Sequence, residues 1–91
     1  MEIKVGFSSF FKRAFKKRIL NKGIEYEARF WNKLELFVKN PYDPQLRTHK
    51  LTGELNNLWS FSVEYDCRVI FRFLEKDNIL FVDIGTHDEV Y

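Results

Sequence analysis

Ile3, Val5 and Phe7 alternate with Glu2, Lys4 and Gly6, the period of a short strand with one buried face. Ser8 and Ser9 end the alternation, and their hydroxyls can accept hydrogen bonds from the free N–H groups at the start of a helix. Across Phe10–Asn21 the apolar residues Phe11, Ala14, Phe15 and Ile19 recur at helical spacing, and Gly23 breaks the run. A second helix is predicted over Ile24–Val38, where Tyr26, Phe30, Leu34 and Phe37 form an apolar stripe. Asn40-Pro41-Tyr42-Asp43-Pro44 ends it, because proline lacks an N–H and pushes its predecessor out of the α region.

From Leu46 onward the pattern is that of strands. Lys50-Leu51-Thr52 leads to a turn around Gly53, and Leu58–Glu64, Cys67–Leu74 and Ile79–Gly85 follow as β-rich runs. The connectors Tyr65-Asp66 and Glu75-Lys76-Asp77-Asn78 are short, so these runs are expected to be antiparallel neighbours. The expected fold is a single α+β domain over residues 1–91, in the order β-α-α-β-β-β, with a further short strand allowed at 47–51. Two N-terminal helices would pack on one face of a curved, mainly antiparallel sheet. Along the third run Val69, Phe71 and Phe73 alternate with Arg68, Ile70 and Arg72, which puts the arginines together on the face left open.

Composition agrees with one packed domain: 91 residues, 45% hydrophobic, with ten Phe, leave little room for disorder or for a second core. The single Cys67 excludes an intramolecular disulfide and fits a reducing compartment. The N-terminus has no signal-peptide pattern, and no run approaches the ~18 apolar residues of a membrane span, so a cytoplasmic protein without a membrane partner is expected. The net charge of +2 hides a division. Residues 1–50 hold twelve Lys/Arg against five Asp/Glu, a net +7, and residues 51–91 hold three against eight, a net −5. The basic half, with Lys12, Arg13, Lys16 and Lys17 on the first helix, either faces a polyanion such as RNA or is a solvated surface.

Chemistry concentrates near the C-terminus, in Gly85-Thr86-His87-Asp88-Glu89-Val90-Tyr91, with Arg68 one strand earlier. RNA can be cut by its own 2′-hydroxyl attacking the adjacent phosphate. A protein then supplies a base for that hydroxyl, cations for the phosphorane and an acid for the departing 5′-oxygen. Histidine suits either proton role, and arginine suits the phosphate through its planar, permanently charged fork. A tyrosine such as Tyr91 can stack on a base or bond a phosphate oxygen. Each group also has a plainer reading: His87 as a surface residue, Arg68 paired with Asp66 or Asp83, Tyr91 as a frayed terminus. Zinc held by His49, Cys67 and His87 is disfavoured because no ligands occur at short paired spacing, so no metal and no cofactor are expected. Thiol catalysis is disfavoured because Cys67 opens a buried-looking run.

Leu46-x-x-His49-x-Leu51-x-Gly53, the run Trp59 to Phe71, and Ile84-Gly85-Thr86-His87 followed by a final aromatic resemble, in that order, the RelE superfamily of bacterial toxins. The similarity is greatest to its YafQ-like and YoeB-like branches and spans nearly the whole chain. It implies a RelE-like fold and the toxin half of a type II toxin–antitoxin pair. The implied activity is an endoribonuclease that cuts mRNA in the ribosomal A site, and the implied partner is an antitoxin that wraps the toxin in a higher-order complex. It assigns His87 as general acid or base, Asp66 as the acidic residue before the third strand, Arg68 as the phosphate-stabilising arginine and Tyr91 as the terminal aromatic. His49 matches a further active-site histidine, with Lys50 beside it as a phosphate contact, and Arg47 and Arg72 join the RNA-facing set. The basic first helix would face ribosomal RNA. Ser62 stands where YafQ-like toxins carry a second-strand histidine, and the lysine-rich site of RelE itself is not reproduced. The base therefore stays open among Asp66, His49 and Glu64. The competing expectations are a ParE-like protein that binds DNA gyrase without cutting RNA, and an inactive relative kept for binding its antitoxin.

Overall fold

The computed structural model describes residues 2–53 and 57–91. Strand β1 is Lys4–Phe7, and Ser8 turns the chain into helix α1, Ser9–Arg18, by accepting a hydrogen bond from the Phe11 N–H at 3.0 Å. The helix ends earlier than its apolar periodicity predicts. Ile19 is buried and caps the helix at φ −110°, its N–H still donating to the Phe15 carbonyl, after which Leu20–Lys22 tighten into a 3-10 turn. The Asn21 side chain donates to the Lys17 carbonyl, satisfying a group that the helix end would leave free. Gly23 then takes φ 110°, a left-handed conformation that favours glycine, and helix α2 runs over Ile24–Lys39.

Asp43 caps a 3-10 turn at Pro44–Leu46 by accepting from Gln45 N–H, and this turn leads to β2, His49–Lys50. The extra strand allowed at 47–51 is thus present as two residues. Gly53 has φ 71°, and the rest of the turn expected there lies outside the described residues. β3 is Trp59–Glu64, β4 is Cys67–Phe73 and β5 is Asn78–Gly85. Periodicity did not predict helix α3, His87–Val90. Its signal was local: Thr86 and Glu89 form a capping box, each side chain bonding the other's backbone N–H.

The sheet order is β1-β5-β4-β3-β2, with β1 parallel to β5 and every other pair antiparallel. The expected α+β architecture is therefore present, with the parallel β1–β5 pair and α3 added. Both long helices bury phenylalanines on one sheet face. Phe37 stacks on Phe61 at 4.7 Å, and Phe11 meets Phe81 edge-on at 5.6 Å between ring centroids.

Two register shifts shape the end of the sheet. Ile70 pairs with Asp83 and Phe71 with Phe81, so Val82 is an extra residue on β5. This bulge lets Phe81 and Ile84, three positions apart, both reach the core. A second shift lies between Ser62 and Glu64. Beyond Phe81 strand β5 has no strand neighbour on its β1 side among the described residues, and Ser8 and α1 take that edge. Ser8 N–H donates to Phe81 O, Ser8 Oγ–H to Val82 O, and Arg18 Nη1 to Ile84 O.

The face opposite the helices is less open than the alternation along β4 implied. Ile70, between Ser60 and Asp83 across the sheet, is 3% exposed, and Ser60 is fully buried. Arg68 and Arg72 therefore do not share a continuous open surface. Arg68 is half-buried at one end, and Arg72 is exposed toward the other.

Candidate active site

A cleft of about 540 Å³ opens at the end of the sheet where β3 turns into β4. Its walls come from separate parts of the chain: Lys33 from α2, Gln45 and Arg47 from the 3-10 turn and its exit, Ser62 and Glu64 from β3, Tyr65 and Asp66 from the turn, Arg68 from β4, and His87 from α3. Arg68 pairs in register with Ser62 on one side and Gly85 on the other, so the strand that carries it lies between the β3 wall and the segment leading to His87. Lys33, Arg47 and Arg68 give the cleft three fixed positive charges against the carboxylates of Glu64 and Asp66. An anionic ligand with protons to exchange suits such a site.

The two carboxylates differ in their partners. Arg29 Nη1 donates to both oxygens of Glu64, at 3.2 and 3.3 Å, whereas Asp66 makes no ion pair among the described residues. His87 is exposed, with Nδ1 3.6 Å from the Asp88 carboxylate, and its ring meets Tyr91 edge-on at 4.5 Å between centroids. Tyr91 does not line the cleft; its ring packs against the imidazole.

Helix α3 holds His87, and it depends on a charged cluster behind it. Glu89 Oε1 accepts the Thr86 N–H at 2.8 Å, and Glu89 Oε2 lies 3.8 Å from Arg18 Nε. The Thr86 N–H, and then the Arg18 guanidinium, hold the Glu89 carboxyl below the usual glutamate range. Asp83 goes the other way: burial pushes its carboxyl up, and the Ile84 N–H and Arg18 only partly offset it. Because Glu89 is a stronger acid in the fold, its contribution to the cap is complete above its ordinary value of 4.5 and is lost as pH falls through the lower folded value. Amide exchange should accordingly show α3 protected down to the ordinary glutamate range and opening only below it. Opening of α3 at a higher pH would contradict this cap.

Gly85 is where the cluster leaves no room. A Cβ there would lie 2.7 Å from Glu89 Oε1 and 3.1 Å from Arg18 Nη1. Gly85→Ala should shift α3 and cost ~1–3 kcal/mol, the usual range for overpacking. An unfolding midpoint and α3 amide shifts equal to those of the parent would show that the segment yields freely.

Of the residues proposed from sequence, Arg47, Glu64, Asp66, Arg68 and His87 line the cleft. His49 and Lys50 do not: they sit on the exposed two-residue β2, where His49 Nδ1 is 3.0 Å from the Arg47 carbonyl oxygen. Arg72 and the α1 cations Lys12, Arg13, Lys16 and Lys17 are exposed outside it. Lys33, Gln45 and Tyr65 also line it, and nothing in their local sequence pattern separates them from ordinary surface residues. The Cys67 thiol is fully enclosed and pushed up to about 12, first by burial and then by the Glu64 charge, which leaves it inert as a nucleophile. No three of His, Cys, Asp and Glu gather as a metal site among the described residues.

Residues 3–91 match the profile of the bacterial toxin of type II toxin–antitoxin system, YafQ. The chain belongs to the YafQ toxin family. No curated protein matches it at a significant level. Among solved structures, a histidine-to-glutamine variant of E. coli YafQ superposes with a TM-score of 0.81 at 18% identity, over 98% of both chains. E. coli YafQ in its complex with DinJ gives 0.79 at 17%, over 100% of this chain and 99% of the other. A YoeB/ParE toxin from Agrobacterium tumefaciens gives 0.78 at 10%, over 93% and 99%. At these identities the structural likeness is one of fold, and the profile match carries the family. Among the described residues of this YafQ-family chain, no helix is long and apolar enough to cross a membrane.

Proposed function

We propose that this protein is a ribosome-dependent endoribonuclease that cuts mRNA by attack of the 2′-hydroxyl on the adjacent phosphate. The observation that carries the reading is the convergence of His87, Arg68, Arg47 and Asp66 on one cleft from four separate segments. His87 donates a proton to the leaving 5′-oxygen, Arg68 and Arg47 hold the phosphate charge, and Asp66 takes the 2′-hydroxyl proton. Asp66 is favoured over Glu64 because Arg29 occupies Glu64, and over His49 because His49 lies outside the cleft. The reaction needs only proton transfer and charge stabilisation, so neither metal nor cofactor enters the scheme. The position where YafQ-like toxins offer a second imidazole is Ser62, on the cleft wall, and Asp66 beside it takes over the base role.

The exposed Lys12, Arg13, Lys16 and Lys17 on α1 face ribosomal RNA, and the exposed Lys50 on the edge strand β2 and Arg72 on β4 offer further contacts to the message. The site of action is the cytoplasm, where ribosomes and mRNA are. E. coli YafQ forms a complex with DinJ, and a cognate antitoxin is proposed here in the same role, covering the cationic cleft within a higher-order toxin–antitoxin complex. Induced expression without antitoxin, followed by primer extension on cellular mRNA and a gyrase supercoiling assay, tests the reading. Discrete cuts in message with gyrase unaffected support it. Intact message with inhibited gyrase would replace it with a ParE-like, non-nucleolytic toxin.

A further inference from the structure

Arg18 closes α1, and it differs from the other cations of that helix. Lys12, Arg13, Lys16 and Lys17 are exposed, whereas the Arg18 side chain is 23% exposed and bridges three groups. Its Nη1 donates to Asp83 Oδ1 and to the Ile84 carbonyl, each at 3.1 Å, and its Nε reaches toward Glu89 Oε2 at 3.8 Å. The guanidinium therefore ties the first helix, the end of β5 and α3 to one point.

We infer that Arg18 is a positioning residue for His87, fixing α3 against the end of β5 so that the imidazole stays at the cleft. The inference rests on the proposed role of His87 in proton transfer. A helix of four residues cannot nucleate on its own, so α3 exists only through contacts that anchor it. Its capping box needs the Glu89 carboxylate turned back toward Thr86, and Arg18 holds the second oxygen of that carboxylate. Gly85 completes the arrangement, because only a residue without a side chain lets β5 pass so close to both Glu89 and Arg18. His87 follows Gly85 by two residues, so any slack in the cluster reaches the imidazole directly. Arg18 does not line the cleft, so it acts on the site through α3. Lysine cannot replace it fully, since one ammonium on a flexible stem cannot hold Asp83, the Ile84 carbonyl and Glu89 in a fixed fork.

The test compares wild type, Arg18→Met, Arg18→Lys and Glu89→Gln by NMR of the His87 ring and α3 amide exchange, alongside cleavage of mRNA on ribosomes. Arg18→Met should broaden or shift the His87 ring signals, expose the α3 amides and lower kcat on the order of 10²-fold with KM nearly unchanged. Arg18→Lys should recover much of the unfolding midpoint but only part of kcat. Glu89→Gln, on an accessible side chain, should fold even if Arg18→Met does not, and should shift His87 in the same direction by less. Ring signals, α3 protection and kcat at wild-type values in a folded Arg18→Met, or an unmoved His87 in Glu89→Gln, would overturn the inference. A displaced imidazole with undiminished RNA cleavage would uphold the positioning of His87 and remove its catalytic role instead.

Discussion

Replacing His87 by alanine is expected to slow RNA cleavage on the order of 10²-fold or more while leaving the fold in place. The imidazole side chain is 60% exposed, so its loss should change stability within about ±0.5 kcal/mol. Arg68→Ala should cost on the order of 10²-fold as well, through loss of charge stabilisation at the phosphorane. The two changes act on one transition state, so the double variant should lose less than the product of the single losses. Single-turnover cleavage of mRNA on purified ribosomes, with circular dichroism to confirm folding, measures all three. Wild-type rates in either folded single variant would show that the chemistry lies elsewhere.

Phe81→Ala should destabilise the protein by ~3–5 kcal/mol, the cost of emptying a fully enclosed aromatic site. The Phe81 ring lies at the meeting point of both layers, 5.6 Å from Phe11, 5.4 Å from Phe37 and 5.6 Å from Phe61 between centroids. Its backbone also closes the junction of β1 and α1, where Ser8 N–H donates to its carbonyl. Collapse of helices onto sheet cannot fill the space without breaking these contacts. Against a total stability of about 5–15 kcal/mol for a small domain, the loss should leave a visibly unfolded fraction at 37 °C. Phe10→Ala, at a ring that is 52% exposed on α1, should change the urea midpoint little. Equal shifts for the two variants would mean that the core is not centred on Phe81.

Much of this fold is legible in the chain because burial alternates with the right period. Ile3, Val5 and Phe7 mark β1, the Tyr26–Phe37 stripe marks α2, and Val69, Phe71 and Phe73 mark the inner face of β4. What the pattern could not reveal depends on contacts across the fold. The bulge at Val82 changes which residues of β5 face inward, and no local rule places it. Ile70 reads as outward beside Arg68 and Arg72, yet it is closed from solvent. The parallel pairing of β1 with β5 joins the two ends of the chain and has no local signature.

The cleft divides in the same way. Arg68, Asp66 and His87 carried chemistry that the resemblance could pick out, and Arg47 stood in the basic half. Lys33, Gln45 and Tyr65 meet them only because α2, the Pro44–Leu46 turn and the β3–β4 turn converge in space. His49 lies close to Arg47 in sequence, yet its ring turns back to the Arg47 carbonyl on an exposed edge strand and stays outside the cleft. Arg18 was hidden in a run of like charges, where only its partners distinguish it. The Thr86-His87-Asp88-Glu89 capping box was readable and announces α3 by itself.

The most direct test of the central claim is the chemistry of the cut ends. RNA cleaved by the purified protein on ribosomes should carry 5′-hydroxyl termini facing 2′,3′-cyclic or 3′-phosphates, because the 2′-hydroxyl is the nucleophile and the 5′-oxygen leaves. His87→Ala should yield the same ends at a much lower rate. Termini bearing 5′-phosphates would contradict the mechanism, and message left whole by the folded wild-type protein would contradict the function.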